Sequence, residues 1–135
     1  METVPEHDPS VFGEAQFRGD VGAMTVLSAL DLVPDVDLSR PKPAVKRVFS
    51  GDGSNVILFN FGPGQRLLEH RAVHPIMVQC LRGQLSFGCA EQIVVMRPGT
   101  ILHLDARVSH RVDCAEDAAA SNVLQLVMLT GKKDS

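Results

Sequence analysis

Four of the five histidines, His70, His74, His103 and His110, fall in one stretch of the chain, with Cys80 inside it and Cys114 just beyond it. Imidazoles bind divalent metals, carry protons near neutral pH and anchor the polar groups of small ligands. A thiolate beside them would favour zinc or copper, whereas a buried thiol is a small apolar side chain. His7 stands apart in a polar leader and reads as a solvated residue.

Spacing limits which of these side chains can meet. On a regular strand, alternation puts His70, Ala72, His74, Ile76, Val78 and Cys80 on one face, and Glu69 and Gln79 on the other. At ~3.3 Å per residue, positions two apart lie about 6.6 Å from each other and can share one ion, but positions four apart are about 13 Å away. His70 and His74 therefore converge only if the strand bends, and Pro75 supplies a reason for a bend. His103, between Leu102 and Leu104, reads as a structural histidine bonded to backbone or water. Asp105 and Arg107 flank the loop before His110; the Arg107 fork suits an anionic ligand group or pairs with Asp105 at the surface. Glu69 reads as solvated or paired with Arg66 or Arg71.

The elements that would hold these residues are short strands. From residue 44 onward, apolar β-type runs alternate with turn residues. Val45–Phe49 and Val56–Phe61 flank a Ser50-Gly51-Asp52-Gly53-Ser54 turn, and Ile76–Leu81, Gln84–Phe87, Ile93–Met96, Ile101–Leu104, His110–Asp113 and Val123–Leu129 follow. Helices long enough for parallel crossovers do not intervene, so this part reads as an all-β sandwich or barrel.

Ahead of it, residues 1–20 mix prolines, glycines and acids without apolar period and read as a flexible leader. Residues 21–43 read as an arm in which Val21, Met24, Leu27 and Leu30 suggest a short helix ending before Pro34. Residues 44–130 form the barrel and 131–135 a C-terminal tail.

With 135 residues, one core is expected, and 44% hydrophobic against 21% charged residues describes a chain that folds. A formal charge of -3 without a large basic cluster argues against nucleic acid as a partner. No run approaches the length of a membrane span. Three cysteines, an odd number without CxxC spacing, suit a reducing cytoplasmic setting better than a disulfide scaffold or zinc ribbon.

Two segments carry a family pattern. Gly64, His70 and Gly83 hold the register of the first cupin motif, in which a glycine precedes a His-x-His pair, a glutamate and a closing glycine. Gly99 and His110 hold that of the second, in which Asp105, Arg107 and Cys114 stand where proline, glycine and asparagine are usual. The 15 residues between Gly83 and Gly99 are similar to the link of small single-domain cupins. The chain therefore resembles a small cupin. This resemblance implies an antiparallel jelly-roll β-barrel, commonly a homodimer, with a site in the barrel mouth. It also implies metal positions at His70, Ala72, Ile76 and His110, of which only the two histidines are donors.

Two readings compete. One is a small-molecule-binding barrel without a tightly held metal, anchored by His70 and His110, with Arg107 and Cys80 facing the ligand. The other is a metal-dependent enzyme of dioxygenase or isomerase type, holding iron, manganese, nickel or zinc through His70, His74 and His110. A structural or regulatory dimer module is a third and weaker reading.

Overall fold

The computed structural model describes residues 4–131 and is almost entirely β. Its strands are β1 (Glu6–His7), β2 (Phe17–Arg18), β3 (Ala44–Gly51), β4 (Gly53–Phe61), β5 (Arg66–Ala72), β6 (Ile76–Arg82), β7 (Leu85–Cys89), β8 (Gln92–Met96), β9 (Ile101–Leu104), β10 (His110–Asp113) and β11 (Asn122–Gly131). They form a five-stranded sheet of order β1-β5-β10-β7-β8 and a six-stranded sheet of order β2-β3-β4-β11-β6-β9. Pairing is antiparallel except where the N-terminal strands join: β1 runs parallel to β5 and β2 parallel to β3. Among the described residues, no helix is long and apolar enough to cross a membrane.

Period-two alternation builds the core. On β6, Ile76, Val78 and Cys80 are buried and meet Ile57, Phe59 and Phe61 of β4, Phe87 of β7 and Leu124, Leu126 and Met128 of β11 in one cluster. Leu58 is fully buried although it points the other way on β4. Residues 34–40 lie on that side: Asn60 donates to the Pro34 carbonyl at 2.9 Å, and buried Gln65 donates to the carbonyls of Asp37 and Arg40 at 2.6 and 2.9 Å.

One turn shows why a motif glycine is needed. Gly83 has φ +73°, and a Cβ there would overlap Oδ1 of Asn122, the oxygen that accepts the Gln84 amide at 3.0 Å. Any side chain would therefore expel the Asn122 side chain from the β6–β7 turn.

Two expectations for the N-terminal third are corrected. The helix read over Val21–Leu32 is absent; only a 3-10 turn, Ala29–Asp31, forms. Val21, Met24 and Val26 are exposed, so the apolar spacing has no surface to cover. The leader is also no loose tail. Between Pro5 and Gly19 it bonds to the barrel, with Arg71 N–H donating to Pro5 O, Val73 N–H to His7 O, Gln16 N–H to Arg47 O and Gly19 N–H to Ser50 O, all within 3.0 Å. The tail lies largely outside the described residues.

Candidate functional site: a histidine pair inside the barrel

β5 and β10 are neighbours, and their register places His70 directly opposite His110. Both residues are buried. Their rings meet edge to face at 4.2 Å between centroids. The pairing shifts between His110 and Val112, where β5 carries an extra residue, so His70 sits beside a bulge.

The hydrogen bonds define the protonation pattern. Nδ1 of His70 lies 2.7 Å from Leu68 O, and Nδ1 of His110 lies 3.0 Å from Val108 O. A carbonyl only accepts, so each Nδ1 is the donor, and each Nε2 keeps a lone pair. Burial, reinforced by the neighbouring His110, pushes the His70 pKa down to about 4. Burial also lowers that of His110. At neutral pH the pair is two uncharged imidazoles, tethered at one nitrogen and free to accept at the other.

A third imidazole comes from the leader. His7, read from sequence as solvated, stacks on His70 at 4.9 Å with 23° between ring planes, and burial lowers its pKa as well. Phe12 meets His7 edge-on at 5.6 Å and Phe59 at 5.6 Å, while Phe87 stacks on His110 at 5.1 Å. A continuous series of rings therefore runs from Phe59 on one sheet, through Phe12 and His7, to His70, His110 and Phe87 on the other. Each such contact is worth about 0.5–1.5 kcal/mol beyond its area. Glu6 fastens this segment, with its Oε2 3.0 Å from Arg71 Nε and 3.1 Å from Arg107 Nη1.

The other candidates do not join the pair. β5 breaks after Ala72, as Pro75 suggested, and His74 lies half-buried in that bend, outside both strands of the pair. Cys80 is buried and its thiol donates to the carbonyls of Arg82 and Gly83 in the β6–β7 turn; burial raises the pKa of Cys80 and of Cys114, keeping both as thiols. Arg107 pairs with Glu6 rather than Asp105. Its φ of +65° at the motif's glycine position preserves the conformation that glycine would take. His103 is exposed on β9. Glu69 accepts from Ser109 Oγ at 2.6 Å and pairs with Arg111 at 3.5 Å, not with Arg66 or Arg71.

Beside the pair lies a cleft of about 360 Å³ lined by Pro5, His7, Pro41, Lys42, Arg66, Leu67, Leu68, Glu69 and His70. It opens where β5 lacks a strand partner, because β1 covers only Arg71 and Ala72.

Solved structures share this architecture. A cupin superfamily protein from Desulfitobacterium hafniense superposes with a TM-score of 0.63 at 14% identity, covering 82% of this chain and 95% of its own. A protein from Thermus thermophilus gives 0.64 at 20% identity, covering 78% of this chain and 97% of its own. An RmlC-like cupin from Desulfovibrio desulfuricans gives 0.64 at 17% identity, with coverages of 78% and 97%. The fold is that of the cupins. No family model and no curated protein matches the chain.

Cupins often hold a metal at the four positions named above, and the residues here do not fit one. Ala72 and Ile76 are buried in the apolar core, at 5% and 1% exposure, and offer no donor. His7 cannot substitute, because the in-plane lone pairs of two stacked rings do not converge at the ~2.0–2.1 Å that a metal requires. Among the described residues, no group of three or more His, Cys, Asp or Glu side chains is placed to hold an ion.

Proposed function

We propose that this cupin-fold chain binds a small organic molecule without a resident metal, using the His70–His110 pair as its polar anchor. The observation that carries this reading is the pair itself. Two buried, uncharged imidazoles, each fixed through Nδ1 to the backbone carbonyl two residues before it, present acceptor nitrogens amid apolar side chains. Ligand sites have this character, an apolar enclosure with few, well-placed polar groups, and the adjoining cleft is within their usual size of roughly 300–1,000 Å³.

Metal analysis of tag-free protein, set beside a His70→Ala/His110→Ala variant, tests it. The expected result is no stoichiometric metal in either, after incubation with iron, manganese, nickel and zinc in turn. Stoichiometric metal that the double variant loses would overturn the reading and favour the enzyme of dioxygenase or isomerase type.

A further inference from the structure

We infer that the molecule taken up in the cleft beside His70 is a small monocarboxylic acid with an apolar body. This rests on the binding function proposed above and assigns its ligand class. Pro5, Pro41, Leu67 and Leu68 supply apolar wall, and Leu68 is 69% exposed although it belongs to a strand. An exposed leucine lining a concave opening at an unpaired strand edge is surface for an apolar group to cover.

The charge in the cleft is one-sided. Lys42 and Arg66 both line it, and among the described residues neither forms an ion pair. The one carboxylate there, Glu69, has both oxygens engaged, Oε2 by Ser109 and Oε1 by Arg111. The histidines in the lining, His7 and His70, add no charge at neutral pH. An anion thus meets two cations that have no carboxylate within ion-pair distance, Asp113 standing opposite Arg66 on β10 without pairing to it, and the Arg66 guanidinium suits a carboxylate bidentately. One charged end suffices, since the proline and leucine walls favour an uncharged remainder.

Titration calorimetry of the full-length protein with two matched pairs of probes tests this: phenylacetate against 2-phenylethanol, and hexanoate against 1-hexanol. Both acids are expected to bind, each at least roughly tenfold tighter than its alcohol. A Lys42→Met/Arg66→Met variant, altered only at exposed positions, should bring acid and alcohol to the same affinity while keeping the wild-type melting temperature. Alcohols binding as tightly as acids, or acid affinity within about twofold of wild type in that variant, would overturn the inference. If acid and alcohol bind alike and both are lost in His70→Ala/His110→Ala, the carboxylate assignment fails while the binding function stands. No binding of any of the four probes also overturns the assignment, and the metal measurement then judges the function separately.

Discussion

The neutral state of His70 makes a quantitative prediction about acid. Its pKa falls from 6.5 in an unfolded chain to about 4 in the folded protein, chiefly through burial and then through repulsion from His110. The unfolded state therefore takes up the proton first as pH falls. Stability from this group is complete above the unfolded value and drains away as pH drops toward the folded one. Linkage over pH 7.5 to 4.5 gives a loss of about 2.5 kcal/mol from His70 alone, or roughly 8–10 °C in melting temperature for a domain of this size. His110 and His7 shift the same way and add to the fall. Urea unfolding at half-unit pH steps, for wild type and His70→Gln, isolates the first contribution, because the amide keeps a donor for Leu68 O but does not titrate. The variant should lose about 2.5 kcal/mol less across the window. Equal losses in the two proteins would refute the claim that His70 is buried uncharged.

Deleting residues 1–20 should lower the melting temperature markedly, since it removes His7, Phe12 and the Glu6 contacts; an unchanged melting curve would mean the segment does not pack. Ala72→His/Ile76→Glu rebuilds the donor set at the motif positions, and should gain stoichiometric divalent metal, measured by plasma emission, at a stability cost of about 2 kcal/mol or more from a polar group in the core. Arg107→Gly exchanges an exposed ion pair worth about 0–1 kcal/mol for release from a left-handed backbone, so unfolding free energy should change by less than about 1 kcal/mol in urea titration.

The barrel was legible in the sequence because alternation and turn residues are local signals. The expected strands over 44–130 fall near their places, with the first hairpin tighter than expected, since β3 runs to Gly51 and β4 starts at Gly53, but β5 (Arg66–Ala72), the strand that carries His70, was not among them. The His70–His110 opposition was legible only through motif register, as a contact across two strands leaves no local trace. His7 was missed for the same reason. A two-residue strand has no period, and its partner β5 lies some sixty residues downstream. The available hint was that His7, Phe12 and Phe17 bring rings into a leader that has few other large apolar residues. Val21–Leu32 misled in the opposite direction, because helical spacing means little where no face is buried.

β11 is the last of the described strands, yet it lies inside the six-stranded sheet, hydrogen-bonded to β4 on one side and β6 on the other. During synthesis the two halves of that sheet thus have nothing between them until residues 122–131 leave the ribosome. β4 and β6 wait as unpaired edges, a state prone to sticking to other chains. Closure is a late, long-range event of the kind that makes β-rich domains slow to fold, and the vulnerable interval ends only when β11 slots into place.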